Sequence, residues 1–319
     1  MNSIRRPHAM YRRAGDRVFS MFIVAIGSSI IVLAVAMGVI LYNDSSLTFA
    51  AIGVFDFITG TEWDPVSGEH GTLPFLFGTV VTSAVALLIA APVGTAAAIF
   101  SAEYAPKPVA TVVNYLIDLL AAIPSVVIGL WGIFVFAPWI RDVAYAPIYR
   151  WASEHAEWLV PILGSPASYN IATSTLLLSF MVVPYTMALA RDSISLVPQE
   201  QREAAWGLGA TRWEVMRVAV LPAARGGIVA GALLSLARAL GETMVVAMII
   251  GNSNRLPFRL FQPAATMPSV IVNEFREAVE ALHFTSVMAV GFILFLLTLA
   301  INLIAAFLQR RIFGGGTRL

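Results

Sequence analysis

Long runs of apolar residues, separated by polar segments, dominate the pattern along this chain. A helix needs roughly 20 apolar residues to cross about 30 Å of hydrocarbon, and six windows have that length. They cover residues 18–42, 73–102, 111–139, 169–193, 224–251 and 284–308. Because isolated strands cannot pair their backbone groups in lipid, the pattern predicts an all-α membrane protein with six transmembrane helices.

Composition supports this class, with 58% hydrophobic residues, 12% charged residues and a mean hydropathy of +0.80. A cleaved secretory signal is the alternative for the first window, since Arg12, Arg13 and Arg17 precede it and residues 34–36 resemble a cleavage site. The apolar run from Val18 to Tyr42 is much longer than the roughly 7–15 residues of a signal, which favours a retained helix.

Cations are distributed unequally between the two sides of the predicted bundle. Fourteen Lys and Arg residues lie in the two terminal tails, the 103–110 link and the 191–225 loop, against five on the opposite side. The positive-inside rule therefore places both termini in the cytoplasm. The basic residues flank membrane spans instead of forming one patch, so no nucleic-acid partner is predicted. Trp63 lies near a predicted interface, where an indole normally acts as an anchor.

Small residues recur at every fourth position in two of the windows, on one helical stripe each. Such stripes let helix backbones approach closely inside a membrane bundle. The second window has Gly78, Thr82, Ala86, Ala90, Gly94 and Ala98, and the fifth has Gly227, Gly231, Ser235 and Ala239. We expect both helices to lie inside the bundle, with bends at Pro92 in the second span and Pro124 in the third.

Nothing in the sequence predicts a metal site or catalytic residues. The chain has no cysteine, and its four histidines are scattered without ligand-like spacing. A phosphate-binding P-loop needs a Gly-Lys-Ser/Thr sequence, yet the single lysine, Lys107, stands between Pro106 and Pro108. The chain is therefore not a P-loop ATPase, and any ATP and Mg²⁺ would be bound by a separate subunit.

The loop between the fourth and fifth windows has the composition of two short helices joined by glycines. Glu203, Ala204 and Ala205 can start the first helix, with the acidic residue near its positive end. Gly207 and Gly209 should end it, and Ala210 follows. Thr211 can cap a second helix over 212–220, which we expect to end at Leu221 and Pro222. Such a corner suits insertion into a groove of a partner protein.

This loop resembles the EAA motif of permease subunits of ATP-binding-cassette (ABC) importers. The matching residues are Glu203, Ala204, Ala205, Gly209, Ala210, Leu221 and Pro222, at the family's spacing. Leu208 stands where many members have Asp, and Ala219 where isoleucine is usual. The resemblance implies a type I importer permease with a MetI-like bundle, and it implies that the loop docks on the ATPase subunit.

Arg238 and Glu242 are charged residues in the middle of the fifth apolar window. An unpaired arginine in lipid costs from about 3 to more than 10 kcal/mol, so its presence suggests a use. Four residues apart in a helix, the two would lie on one face and could pair. A guanidinium donates parallel hydrogen bonds to oxyanions, which suggests an anion path. A purely structural ion pair is the alternative.

Other segments resemble the permeases of the phosphate-specific (Pst) importer. They are residues 121–129, residues 238–244, Asn273-Glu274-Phe275, and the acidic segment Thr61-Glu62-Trp63-Asp64-Pro65, which is similar to the PstC branch. The resemblance implies a heterodimer with a PstA-like permease, a PstB-like ATPase dimer and a PstS-like periplasmic phosphate-binding protein. Phosphate would then cross the bacterial inner membrane by alternating access, without bond chemistry on this chain.

The resulting organisation has four parts. A cytoplasmic tail (1–17) precedes the first helix and an acidic periplasmic segment (18–72), then the importer domain (73–308) with its coupling loop (194–223), and a cytoplasmic tail (309–319). The alternatives are an ABC permease for sulfate or molybdate, an ion-coupled secondary transporter working alone, or a membrane scaffold or sensor.

Overall fold

The computed structural model describes residues 8–313, with side chains for residues 16–307. Within this range six helices are long and apolar enough to cross a membrane, as predicted. The first, α1 (His8–Asp44), lies at the edge of the bundle and contacts the last, α16 (Ala281–Phe313), where Gly38 lies against the ring of Phe295.

Between the first two spans the chain folds into a compact cap. Two short helices, α2 (Ser46–Ala51) and α3 (Val54–Thr59), precede an antiparallel hairpin of β1 (Trp63–Asp64) and β2 (Glu69–His70). Phe57, Trp63 and Phe75 are buried together beneath it. The interpretation of Trp63 as a membrane anchor is therefore wrong, because its indole is part of the core of the cap.

The second and fourth spans form the centre of the bundle. They are α4 (Leu73–Ile99), which continues as a π-helical turn over Phe100–Tyr104, and α10 (Ile171–Ser195). All six members of the predicted stripe on α4 are buried. At Gly94 any side chain would collide with Thr186 of α10, whose hydroxyl donates to the Ala90 carbonyl at 3.0 Å. The stripe thus brings two helix backbones together, as expected.

The third window does not form one span over 111–139. Helix α5 (Lys107–Ala122) is followed by Ile123, whose backbone is extended. This is the conformation that a following proline imposes. A new helix then runs without interruption from Ser125 to His155. It comprises α6 (Ser125–Trp131), α7 (Ala137–Ile140) and α8 (Ala146–His155), joined by π-helical turns over Gly132–Phe136 and Arg141–Tyr145. A 3₁₀ turn (Glu157–Leu159) and α9 (Val160–Leu163) follow.

The fifth span also differs from its predicted window. It starts earlier, as α12 (Arg212–Val215), a π-helical turn (Met216–Val220) and α13 (Leu221–Leu240). Pro222 therefore does not end a helix, because it lies directly after the π-helical turn inside the continuous helix from Arg212 to Leu240. The span ends at Leu240 instead of residue 251, and α14 (Met244–Ile249) is a separate helix.

The remaining helices are α11 (Gln199–Gly207), before the fifth span, and α15 (Met267–Glu274), before the last. Helix α13 packs on α10 through its own stripe, since a Cβ at Gly231 would lie 2.6 Å from the Cβ of Leu189. Both stripe-bearing helices thus lie against α10, which is the most buried of the six spans.

Candidate functional site: two helix breaks and a cytoplasmic corner

Arg238 lies in the last turn of α13, beside the end of α5. Its guanidinium carbon is 4.0 Å from the ring centroid of Tyr185 on α10, in a cation–π contact. The hydroxyl of Tyr185 donates to the carbonyl of Ala121 at 3.1 Å. Such a contact is worth about 0.5–2 kcal/mol and leaves the hydrogen-bonding edge of the guanidinium free for an anion. The side chain is exposed in the single chain.

Glu242 does not pair with Arg238, and the prediction that both lie on one helical face is wrong. Helix α13 ends two residues before Glu242, at Leu240, with Gly241 as its C-cap. The backbone N–H of Glu242 still donates to the Ala239 carbonyl at 3.2 Å, but its half-buried carboxylate makes no ion pair within residues 16–307. The purely structural ion pair is thereby excluded in this conformation.

The two helices that follow the breaks pack against each other. Gly129 of α6 allows this contact, because a Cβ there would lie 2.5 Å from the sulfur of Met248 and 3.5 Å from the Cα of Val245 on α14. Residues 121–129 and 238–244, which sequence reasoning singled out separately, are therefore parts of one region. Irregular backbone at membrane depth is tolerated only where protein or a cavity covers it, and in transporters such breaks surround substrate sites.

Residues 199–215, between the fourth and fifth spans, are called the cytoplasmic corner after the side on which the sequence predicts them to lie. Their first helix has a different start from the predicted one. Helix α11 begins at Gln199, directly after Pro198, so Glu203, Ala204 and Ala205 lie within it and do not start it. A proline in this position fixes the backbone for helix entry, and Glu200 takes the place near the positive helix end. Gly207 is the last helical residue, in agreement with the prediction.

Gly209 and Thr211 make the turn as predicted. Gly209 has a φ of +81°, which glycine adopts without strain, and its N–H donates to the Trp206 carbonyl at 2.9 Å. The Ala210 N–H donates to the Ala205 carbonyl at 3.2 Å. Thr211 caps α12 in a capping box, since Glu214 accepts from the Thr211 N–H at 2.7 Å. The corner is therefore a defined element of structure.

A buried ion pair, which sequence reasoning missed, holds this corner to α4. Arg202 of α11 donates from Nη2 to Oε1 of Glu103 at 2.8 Å and also to the carbonyls of Ile194 (2.9 Å) and Val197. Arg202 is 9% exposed. The partners are 99 positions apart, so no local spacing could indicate the pair. It ties the corner to the π-helical end of α4.

A second polar cluster joins the cap to the last span. Glu274 of α15 accepts from Nε1 of Trp63 at 2.6 Å and lies 2.9 Å from Nε2 of His283 on α16. Its other oxygen is 3.5 Å from the amide nitrogen of Asn254. Asn273-Glu274-Phe275 appeared in the sequence only as a family resemblance, and the structure shows that Glu274 is the residue that connects three segments.

Beside this cluster, His70 is almost fully buried. Its Nδ1 lies 3.0 Å from the Gly68 carbonyl, whereas its Nε2 has no hydrogen-bond partner. Burial lowers the pKa of His70 from its ordinary value of 6.5, and the nearby His283 adds to this. The Gly68 carbonyl, Glu274 and Glu69 act in the opposite direction but do not outweigh burial. His70 is therefore neutral in the folded cap near pH 7.

Comparison with known proteins agrees with this geometry. Residues 94–314 match the family model "binding-protein-dependent transport system inner membrane component". The chain is 38% identical over 297 residues to the phosphate transport system permease protein PstC of Mesorhizobium japonicum, covering 93% of this chain and 90% of the relative. It is 37% identical over 302 residues to PstC of Pasteurella multocida, with 94% and 91% covered.

Solved structures agree at the level of the fold. A chain of a bacterial ABC transporter for import of the acidic polysaccharide alginate superposes with a TM-score of 0.61 at 15% identity, over 95% of this chain and 99% of that one. A chain of the MetNI methionine ABC transporter in an inward-facing conformation gives 0.52 at 18% identity, over 76% and 94%.

The family match and the six apolar helices together define a multi-pass permease of an ABC importer in the inner membrane, built on a MetI-like bundle. The sequence relatives narrow this class. The chain belongs to the family of phosphate transport system permease proteins named PstC.

Replacing Arg202 by Met should loosen the cytoplasmic corner. The change leaves Glu103 and two backbone carbonyls without their donor, at a cost of about 1–3 kcal/mol. Hydrogen exchange over residues 199–215 of the assembled complex should accelerate at least fivefold. The exposed Arg212 is the matched control, and R212M should leave the protection unchanged. Equal protection in wild type and R202M would show that the ion pair does not hold the corner.

The cap should loosen as the pH falls below about 6.5. Because the folded pKa of His70 is below its unfolded value of 6.5, the unfolded hairpin binds more protons in this range. The contribution of neutral His70 to the stability of the folded cap is therefore complete above pH 6.5 and is lost as the pH falls. Hydrogen exchange over residues 60–72, corrected for its intrinsic pH dependence, should be faster at about pH 5 than at about pH 7.

Two variants separate His70 from other titrating groups. H70Q should remove this pH dependence, whereas H155Q, which changes an exposed histidine, should retain it. A pH response that survives in H70Q would show that His70 is not the group responsible for it.

Proposed function

We propose that this chain is one of two permease subunits of an ATP-driven importer of inorganic phosphate. With a second permease it forms the path by which phosphate passes from periplasm to cytoplasm by alternating access. The relatives are named as phosphate permeases, which supports phosphate as the cargo. The observation that carries the proposal is Arg238, whose guanidinium lies on Tyr185 next to two helix breaks without an acidic partner within residues 16–307.

Arg238 suits a phosphate path for chemical reasons. It stays charged at physiological pH and offers two parallel N–H donors to an oxyanion. Its contact with Tyr185 orients the side chain without neutralising it. Glu242, in the break after α13, is close along the chain but unpaired, and we assign it to the same path as the acidic group that limits retention of the anion.

A single arginine does not neutralise a dianion, so a second cationic helix is required. We assign it to a PstA-like permease. Arg238 is exposed in the single chain, and the neighbouring surface of α5 is apolar and exposed at Tyr115, Leu116 and Leu119. A heterodimer that covers this surface would enclose the arginine in the path. A PstS-like periplasmic protein would deliver phosphate to the opposite end.

The cytoplasmic corner is the proposed docking site for a PstB-like ATPase dimer, which binds the ATP and Mg²⁺. Two of its apolar side chains are exposed without a covering partner: Leu208 at 91% and Trp213 at 59%. From Arg212 the helix continues without interruption to Leu240. Arg212 and Arg238 are thus about 40 Å apart along one helix, at 1.5 Å per residue, so a displacement of the corner reaches the arginine directly.

Replacing Arg238 by Gln should abolish phosphate uptake while the complex still assembles. The variant loses the fixed charge, so we expect uptake to fall by at least tenfold, and R238K should retain an intermediate rate because it keeps the charge without the planar fork. Labelled phosphate uptake into vesicles containing the reconstituted complex is the measurement. R225Q, at the exposed cytoplasmic end of the same helix, is the control.

The same assay tests the cargo. Excess sulfate or molybdate should not compete with labelled phosphate. Near-normal uptake by R238Q would contradict the role of Arg238, and strong competition by sulfate would assign the permease to another oxyanion. Uptake by this chain alone under an ion gradient without ATP would favour a secondary transporter.

Replacing Gly209 by Val should uncouple the ATPase. A side chain at this position would not clash, since nothing lies within 4 Å of its Cβ. The backbone φ of +81°, however, costs a β-branched residue at least about 1–2 kcal/mol. The corner would change shape, so less ATPase should co-purify and uptake should fall. G207A is the control, because Gly207 is helical and equally unobstructed. Unchanged co-purification and uptake in G209V would argue against docking here.

A further inference from the structure

An apolar groove lies on the outer surface of the bundle, away from Arg238. It is formed by α4 and the first turns of α10, has a volume of about 370 Å³, and is covered at one end by residues 257–260. Phe77 and Ile89 of α4 both line it and are 12 positions apart, which is about 18 Å along a helix. This length approximates one leaflet of a hydrocarbon core about 30 Å thick.

The segment that covers the groove is held firmly in place. The Leu260 N–H donates to the Ile162 carbonyl at 3.0 Å, and the Leu260 carbonyl accepts from the Ala172 N–H at 3.2 Å. The Phe261 N–H donates to the Leu163 carbonyl at 2.8 Å. The covering segment is therefore attached to both α9 and α10, and the groove exists before anything binds in it.

Arg259 is the single charged residue among those that line the groove. Its aliphatic stem packs on Gly164, where a Cβ would lie 2.9 Å from the Cβ of Arg259. Gly164 has a φ of +73°, so glycine serves both the turn and the close approach. Arg259 makes no ion pair with the acidic residues in 16–307. The guanidinium of Arg259 thus lies at the mouth of the apolar groove, on the side predicted to be periplasmic.

We propose that this groove binds a phospholipid of the outer leaflet. One acyl chain lies along α4 between Phe77 and Ile89, and the headgroup phosphate accepts hydrogen bonds from Arg259. The combination of one leaflet of apolar length with one cation at the membrane surface matches an anionic phospholipid. It does not match free phosphate, because the mainly apolar lining cannot provide several hydrogen bonds to one. The lipid would brace α4 against α10 at the end opposite the cytoplasmic corner.

Photolabelling of the purified, fully assembled importer tests this. The probe is phosphatidylglycerol with a diazirine in one acyl chain, and mass spectrometry maps the labelled residues. We expect labels on Val85, Ile89 and Leu176, which line the groove. R259Q should weaken labelling about tenfold, the effect of losing one charge-assisted hydrogen bond. V85W should block it by filling the groove.

Two matched variants and one competitor complete the design. R255Q changes another exposed arginine near the covering segment, and L88W places the same indole on α4 outside the groove, so both should label like wild type. Saturating inorganic phosphate should not reduce labelling, and R259Q should still import phosphate.

Three outcomes would overturn the proposal. Equal labelling of R259Q and wild type would show that the arginine does not recognise the headgroup. Labelling of the isolated chain that disappears in the complex would show that protein covers the groove. Loss of labelling with free phosphate, together with lost uptake by R259Q, would assign Arg259 to the anion path.

Discussion

The structure depends on one constraint, that backbone N–H and C=O groups in hydrocarbon must be hydrogen-bonded within the protein. Helix α10 meets it with an unbroken span in the centre, and the small residues of α4 and α13 let both helices approach it closely. Beside this tightly packed core, the helices of the third and fifth predicted windows are interrupted at Ile123–Pro124 and at Gly241–Thr243. Residues 122–124 and Gly241 are exposed in the single chain, so these breaks need cover from a partner subunit or a water-filled cavity, and Arg238 lies beside them on the ring of Tyr185.

A second feature is the continuous helix that joins the corner to this region. The helix from Arg212 to Leu240 has the proposed ATPase-docking corner at one end and Arg238 near the other. The Arg202–Glu103 pair attaches the same corner to α4, so the corner is joined to both α4 and α13. The π-helical turns at the cytoplasmic ends of both helices, Phe100–Tyr104 and Met216–Val220, are places where a helix can change register without unfolding.

The parts of the site that are local in sequence were predictable. The glycine corner follows from Gly207, Gly209 and the capping residue Thr211, since a turn with positive φ and an N-cap each require specific residue types. The pairing of Arg238 with Glu242 was mispredicted, because helical periodicity was carried across Gly241 into a segment that is not helical. The contacts of Glu274 with Trp63 and of Arg202 with Glu103 had no sequence signal, since they join distant segments.

The sequence by itself determined the class of protein, the number of spans, the stripes along which helices approach, and the family, because apolar length, small-residue spacing and motifs are properties of consecutive residues. Only the tertiary structure decided where the third and fifth helices stop, which side chains pair, and that residues 121–129 and 238–244 form one region. A proline or glycine can bend, cap or end a helix, and the choice depends on the neighbouring helices that accept the freed backbone groups.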